Sequence, residues 1–317
     1  MTLSQAQLDR AGGVLLGQAV GDALGVPYEF APRIPVGQAR MIGGGLGPYA
    51  PGEWSDDTQM AVCVARELTG GFHGEPTLRA IAEAFLGWLD DGATDVGNLT
   101  RSVLSSARHQ WDLLAAMHRA ATQAAAADQA GNGALMRTAV VGLIAPDDRV
   151  RTAEASAQIA ALTHAHHLCV ESSVLWSEAV RLAVMEETLD VRAGLDLLAA
   201  DRRNDWHDLL DQAQSRPPES FNPNGFTVHA LQAAWSAIHA TRHESGTAHV
   251  EAALQTAVAI GHDTDTVAAI AGGLLGACYG VAAIPAEQAA AVHGWPGLGG
   301  ADLVELGRRI AAGPIDR

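Results

Sequence analysis

Two short acidic segments carry the residues of this sequence with the clearest chemical potential. Each combines a pair of carboxylates with a hydroxyl, and each opens an apolar run of helical character. In chain order their residues are Ser55, Asp56, Asp57, Asp263, Asp265 and Thr266. Oxygen ligands of this kind suit hard divalent cations such as Mg²⁺ or Mn²⁺. If the fold brings the two segments together, four carboxylates provide enough negative charge to hold two such ions.

Helix capping is the simpler explanation of the same residues. Ser and Asp are favoured at helix N-caps, and the helix dipole stabilises acidic side chains in a first turn. For either segment alone, capping explains the pattern as well as metal binding does. The recurrence of the same composition in two distant segments favours a metal site.

Composition limits the classes of partner. The chain has 317 residues and a formal net charge of −16, which disfavours nucleic acid and anionic membranes as ligands. An anionic substrate therefore needs metal ions or backbone N–H groups to neutralise it locally. The three cysteines are scattered through apolar segments, so we predict reduced core residues in a cytoplasmic protein.

The hydrophobic pattern has helical periodicity throughout, without a convincing strand. We therefore predict an all-α fold in which residues 1–317 form one compact helical domain, acting as a monomer. We expect helices over 3–24, 57–68, 75–90, 135–144 and 248–260, with one or two more within 98–130. Long amphipathic helical stretches are expected over 153–187, 191–198 and 227–240. The uncharged segment 266–286 is interpreted as a buried central helix rather than a membrane span, because it is rich in Gly and Ala and lacks flanking basic residues.

Glycines recur every fourth position in the first helix and again in the late apolar helix. They are Gly13, Gly17, Gly21 and Gly25, and then Gly272, Gly276 and Gly280. A helical glycine costs about 1 kcal/mol relative to alanine. Stripes of this kind predict that another backbone approaches closely, near the centre of the protein.

Several further motifs place polar residues or glycines at turns and at helix starts. Their candidate functional residues are Glu29, Asp95, Asn98, Gly131, Asn132, Gly133, His164 and Phe226. Taken singly, Asp95 suits a turn and Phe226 suits packing. The glycine-bounded Gly131–Gly133 segment can present backbone N–H groups to an anion without adding positive charge.

The ordered set GDALG, WSDDTQM, DVGN, GNGALMR, TH and DTDT resembles the ADP-ribosylglycohydrolases, particularly their dinitrogenase-reductase-activating and ADP-ribosylarginine hydrolase branches. The resemblance implies an orthogonal helical bundle with a central dinuclear cleft holding two Mg²⁺ or Mn²⁺ ions. It implies that the six residues of the acidic segments are metal ligands. It also implies hydrolysis of the bond between ADP-ribose and an acceptor, most readily a protein arginine.

By the same resemblance, Asp95 and Glu29 are the catalytic candidates, and the sequence does not decide which is the general acid or base. Asn98, Gly131, Asn132, Gly133, His164 and Phe226 are the candidate substrate contacts. The expected partner is an ADP-ribosylated protein or a small ADP-ribosyl compound.

The chain departs from the family pattern at three positions. His262 replaces a common glycine, Ser55 a common threonine, and Phe226 lies where many members have a tyrosine. The alternatives left open are hydrolysis of a serine, nucleic-acid or O-acetyl linkage, cleavage of the pyrophosphate, and non-catalytic binding of ADP-ribose.

Overall fold

A computed structural model describes residues 2–314, and within that range nearly all of the regular secondary structure is helical. The α-helices are α1 (Gln5–Gly25), α2 (Asp56–Leu68), α3 (Glu75–Asp90), α4 (Asn98–Ala107), α5 (Leu113–Ala126), α6 (Arg149–Ala161), α7 (His167–Glu186), α8 (Arg203–Ser215), α9 (Thr227–Ala240), α10 (Gly246–Ala259), α11 (Thr264–Tyr279), α12 (Ala286–Ala291) and α13 (Gly300–Ala312). Short 3₁₀ helices cover Val26–Tyr28, Leu135–Arg137, Ala139–Leu143, Val191–Leu197, Pro218–Ser220 and Val281–Ala283. Two-residue strands, β1 (His293–Gly294) and β2 (Leu298–Gly299), form one antiparallel pair. The all-α prediction is confirmed.

Helices α1 and α11 form the buried centre of the protein. Their glycine stripes face each other: a Cβ atom added to Gly17 would overlap the carbonyl oxygen of Gly272, and one added to Gly276 would overlap that of Gly13. Gly25, at the other end of α1, lies against the backbone of Asp265. The two helices are therefore antiparallel, and the predicted close backbone contact is confirmed.

Local signals set the ends of several helices. The Ser4 hydroxyl accepts from the Gln7 N–H, and the Gln7 side chain accepts from the Ser4 N–H, a reciprocal cap that begins α1. The side chains of Asp112 and Asp148 cap α5 and α6 by accepting from the N–H groups of Ala115 and Arg151, without the reciprocal bond. Helices α3 and α9 have the predicted limits, and α1, α2 and α10 lie close to theirs. The stretch predicted over 153–187 is divided between α6 and α7.

The helix predicted over 135–144 is wrong, because two 3₁₀ helices separated at Thr138 replace it. The Thr138 carbonyl accepts hydrogen bonds from the Ser177 hydroxyl (3.0 Å) and the Val141 N–H (3.0 Å). A tertiary contact thus competes for the carbonyl that would continue an α-helix. The segment 191–198 is likewise a 3₁₀ helix, Val191–Leu197.

The prediction also missed three helices, α8, α12 and α13. Helix α8 is mostly polar, and it buries only Trp206, Leu210 and Ala213. That i, i+4, i+7 spacing is the sequence signal that could have identified it.

The uncharged segment 266–286 contains most of α11, whose residues are buried among other helices. In the described part of the chain, no helix has the length and apolar character needed to span a membrane. Cys63, Cys169 and Cys278 are buried and unbridged, as predicted.

Candidate active site

The N-termini of α2 and α11 meet at the C-terminal end of α1. The Ser55 hydroxyl oxygen lies 3.1 Å from Asp57 Oδ2 and 3.4 Å from Asp265 Oδ2. Asp57 and Asp265 also bring carboxylate oxygens within 4.8 Å of Asp22. The fold therefore brings the two acidic segments together, with oxygen atoms of like charge in direct proximity.

A cleft of about 460 Å³ opens onto this cluster. Most of the candidate residues line it: Glu29, Asp56, Asp95, Asn98, Gly131, Asn132, Gly133, His164, Asp263, Asp265 and Thr266. Ser55 and Asp57 are buried next to it. Phe226 is outside the lining, and its exposed ring contacts the edge of His229.

Sequence reasoning missed Asp22, which organises the start of α2. One of its carboxylate oxygens accepts from the Ser55 N–H and hydroxyl, both at 2.8 Å. The other accepts from the Thr58 N–H at 3.0 Å and the Thr58 hydroxyl at 2.6 Å. An aspartate inside the apolar, glycine-rich α1 was the available signal, because ionisable residues are seldom fully buried without partners.

The capping explanation does not account for these segments. Ser55 and Asp263 occupy the N-cap positions of α2 and α11, yet neither side chain makes a capping hydrogen bond. The Ser55 hydroxyl contacts Asp22 instead, and Asp263 accepts from the Asn132 amide at 2.7 Å.

The donor set fits a divalent cation. The single proton of the Ser55 hydroxyl is best donated to Asp22, its closest acceptor, which turns the oxygen lone pairs toward Asp57 and Asp265. A cation, or a proton on one of the carboxyl groups, removes the repulsion between these lone pairs and the carboxylate oxygens. Among residues 2–314, Asp57 Oδ1 is also buried without a hydrogen-bond partner, and a buried polar atom of this kind requires an explanation such as an ion.

Burial dominates the electrostatics of the cluster. It raises the pKa of Asp22 to about 6. It also raises the pKa values of Asp56, Asp57 and Asp265 well above their ordinary range, and the charges of neighbouring carboxylates add to the effect. For Glu29, burial and then the nearby carboxylates raise the pKa to about 9. A cation would favour the ionised forms.

A second group of carboxylates faces the cleft. Glu29, Asp95 and Asp265 have oxygen atoms within 4.8 Å of one another. Glu29 follows the 3₁₀ turn after α1, and Asp95 lies in the loop before α4. Burial, followed by the charge of Asp263, raises the pKa of Asp95. Two groups able to exchange protons thus lie beside the oxygen-rich cluster.

The loop at 131–133 forms one wall of the cleft. A backbone bridge pairs Gly131 with Phe226, and the Asn132 N–H donates to the Gly225 carbonyl at 3.1 Å. The Asn132 amide also donates to the carbonyl of Asn224, whose own side chain accepts from the Asp263 N–H. These bonds tie the glycine loop to the start of α11.

Comparison with known proteins identifies the family of this chain. A model of the family described as ADP-ribosylglycohydrolase matches residues 3–316. The chain belongs to the ADP-ribosylglycohydrolase family. It is therefore a hydrolase of glycosidic linkages to ADP-ribose.

Relatives of this family member are similar over most of its length. It is 29% identical to ADP-ribosylarginine hydrolase Tri1 of Pseudomonas putida, over 90% of this chain and 75% of the relative. It is 31% identical to the ADP-ribosyl-[dinitrogen reductase] glycohydrolase of Rhodospirillum rubrum, over 87% and 88%. A solved ADP-ribosylglycohydrolase-related protein complex aligns with a TM-score of 0.75 at 28% identity, over 97% of this chain and 99% of the other.

One departure from the ADP-ribosylglycohydrolase pattern has a structural consequence. His262, for which the resemblance implies a glycine, has φ of 69°, in the left-handed region that favours glycine. Phe30 also has a positive φ, of 50°, and its N–H donates to the His262 carbonyl at 2.7 Å. The two rings meet edge to face with centroids 4.8 Å apart. This contact joins the backbone next to Glu29 to the backbone next to Asp263.

Proposed function

We propose that this chain is a divalent-cation-dependent hydrolase of ADP-ribosyl-arginine in proteins. The observation that carries the proposal is the convergence of buried carboxylates from α2 and α11 on one cleft. Asp57 Oδ1 there has no hydrogen-bond partner within the described part of the chain. The name of the Pseudomonas putida relative, an ADP-ribosylarginine hydrolase, supports arginine as the acceptor.

Two Mg²⁺ or Mn²⁺ ions would be held by the two acidic segments, through Ser55, Asp56, Asp57, Asp263, Asp265 and Thr266. When bound, the ions supply Lewis-acid polarisation and lower the pKa of a coordinated water. Asp22 is not in the predicted ligand set. It orients the Ser55 hydroxyl by accepting its hydrogen bond.

ADP-ribose would lie along the cleft with its pyrophosphate against the loop at 131–133 and its ribose near Asp95 and Asn98. The Asn132 N–H already donates to the Gly225 carbonyl. The N–H groups of Gly131 and Gly133 would therefore be the ones to bind the anion, without a basic side chain. The acidic side of the cleft would attract the positively charged guanidinium of the acceptor, and a carboxylate can hold it through paired hydrogen bonds.

In the proposed reaction, water adds to the anomeric carbon of the ribose while the carbon–nitrogen bond to arginine breaks. Asp95 or Glu29 accepts the water proton, and the guanidine leaves with the bonding electron pair. The same carboxyl then returns the proton to the guanidine. The carboxylates around the cleft stabilise the positive charge that develops on the sugar.

A substrate panel tests this proposal. ADP-ribose linked to arginine, serine, cysteine, a nucleic-acid end or an O-acetyl ester is incubated with enzyme, with Mg²⁺ or with EDTA, and the products are resolved by chromatography. We expect arginine to be the fastest substrate, intact ADP-ribose to be released, and turnover to stop in EDTA.

Other outcomes separate the alternatives. Faster hydrolysis of the serine or nucleic-acid linkage would refute the arginine assignment and leave the cation requirement standing. Release of AMP would indicate pyrophosphate cleavage. Binding of ADP-ribose without turnover of any substrate would indicate a non-catalytic protein.

A further inference from the structure

Arg137, Thr163 and His164 form a hydrogen-bonded row beside the carboxylate cluster. All three are buried, with exposed fractions of 0%, 0% and 2%. Arg137 donates from Nη2 to the Thr163 hydroxyl oxygen at 2.7 Å, and that oxygen lies 2.7 Å from His164 Nδ1. The row starts at a buried positive charge and ends at an imidazole that lines the cleft.

The chemistry of the donors fixes the direction of these bonds. A guanidinium can only donate, so the Thr163 oxygen accepts from Arg137. A buried hydroxyl proton needs an acceptor of its own, and His164 Nδ1 is the atom positioned to receive it. Nδ1 is therefore the unprotonated nitrogen, and the proton of the neutral ring is on Nε2.

Arg137 also favours the neutral imidazole. Burial, and then the charge of Arg137, hold the pKa of His164 well below its usual range. The guanidinium is itself anchored, because Nη1 donates to the Gly133 carbonyl at 2.7 Å and its carbon lies 4.8 Å from the centre of the Phe85 ring. One buried cation thus secures both the glycine loop and the threonine that orients the histidine.

The Nε2 edge of His164 faces the loop at 131–133. A Cβ atom built on Gly133 would lie 3.0 Å from both Nε2 and Cε1, and one built on Gly131 would lie 3.7 Å from Nε2. A side chain at position 133 would therefore press on the ring edge that carries the proton. The missing side chain at Gly133 leaves room for this edge beside the cleft.

We propose that Arg137 and Thr163 are positioning residues that hold His164 as a neutral Nε2–H donor to a pyrophosphate oxygen of ADP-ribose. This inference rests on the proposed function for the identity of the ligand. The fixed proton makes His164 a preorganised donor, and the buried guanidinium behind it supplies positive charge in a chain of net charge −16.

Nuclear magnetic resonance reads the tautomer directly. Protein labelled with ¹⁵N-histidine gives long-range proton–nitrogen spectra in which protonated and unprotonated ring nitrogens have distinct shifts, and the His164→Gln variant identifies the His164 signals. We expect an unprotonated Nδ1 in the wild type. A protonated Nδ1, or a doubly protonated ring at neutral pH, would overturn the proposal.

Two substitutions at Thr163 test the consequence for binding. Thr163→Val keeps the shape and removes the hydroxyl, so we expect mixed tautomers and about tenfold weaker binding of ADP-ribose by calorimetry in Mg²⁺. Thr163→Ser restores the hydroxyl and should remain within about twofold of the wild type. Wild-type affinity and an unchanged spectrum in Thr163→Val would refute the positioning role.

The spectra show whether the inference about His164 fails independently of the proposed function. If the wild type does not bind ADP-ribose at all, the proposed ligand is wrong, while the tautomer result still decides how His164 is held. If Thr163→Val fails to fold, the wild-type and Thr163→Ser spectra still confirm or refute the fixed donor.

Discussion

The α1–α11 pair has two regions in which close approach has opposite effects on stability. Along the middle, glycines let two backbones touch without side chains between them. At the end where α1 finishes and α11 begins, Asp22, Asp57 and Asp265 bring carboxylates within 4.8 Å of one another. Both regions are buried. Close contact between the glycine-rich backbones stabilises the fold. Close contact between the carboxyl groups destabilises it, because groups of like charge are crowded together and removed from water.

The difference shows how the glycine region supports the acidic region. Close packing fixes the two helix ends relative to each other, so the carboxylates cannot separate to relieve repulsion. A bound cation can then offset the repulsion that the carboxylates cannot reduce by moving apart. Substitutions in the glycine region should therefore affect folding, and substitutions in the acidic region should affect function while sparing the fold.

The largest effect is expected for Gly17→Leu or Gly276→Leu. A leucine side chain would overlap backbone atoms of the facing helix, so its cost should exceed the about 1–3 kcal/mol of ordinary overpacking. We expect insoluble or unfolded protein, measured by soluble yield and circular dichroism. Gly87→Leu is the matched control, because nothing lies near that exposed position in α3. Soluble, stable Leu variants at both sites would disprove close packing.

Asp265→Ala should abolish turnover and leave the helical signal intact. Loss of a partner that only orients a metal ligand typically costs about 10–100-fold, so loss of a ligand should cost at least about 100-fold. The melting temperature in EDTA should not fall, because the substitution removes a buried carboxyl group from a crowded acidic cluster. Asp208→Ala, at an exposed acidic position in α8, controls for loss of charge. Retained activity in a destabilised variant would instead support a capping role.

Asp22→Asn should weaken cation binding without removing a predicted ligand. An amide cannot accept all four hydrogen bonds from Ser55 and Thr58. We expect Mn²⁺ affinity to fall by about 10–100-fold in a calorimetric titration. Thr58→Val removes only one of those bonds and should have a smaller effect. Equal Mn²⁺ affinity in Asp22→Asn and wild type would show that Asp22 does not orient the site.

The smallest effect is a pH dependence of stability. Folding raises the pKa of Glu29 from 4.5 to about 9 and that of Asp22 from 3.8 to about 6. Acids raised in this way favour folding fully below their unfolded pKa values, and the benefit is lost as pH rises through the folded values. The free energy of unfolding of cation-free protein should therefore decline between about pH 4 and 9.

Added Mg²⁺ should offset that loss, because it binds the ionised carboxylates of the native state. We expect the increase in melting temperature on adding Mg²⁺ to be larger at pH 8 than at pH 5. An equal increase at both pH values would mean that these carboxylates do not hold the ion.

The sequence by itself determined the helical class, the glycine contact and the oxygen-rich residue types, because each is a local property. Hydrophobic periodicity and capping residues define a helix within one segment. Glycines that recur every fourth position indicate a helix face without side chains, which another backbone can approach. The family motifs extended this to the candidate residues, most of which line one cleft. Their individual roles, the single-domain boundary, the monomeric state and the cytoplasmic location stay predictions.

Only the tertiary structure decided which polar atoms meet. The sequence does not identify Asp22 as a site residue. The structure does, because Ser55, 33 positions later, donates two hydrogen bonds to it. His164 gains a defined proton position only when Arg137 reaches Thr163. The segment 135–144 departs from an α-helix because Ser177 bonds the Thr138 carbonyl. Each outcome depends on a buried donor finding an acceptor distant in sequence, and local patterns do not encode that pairing.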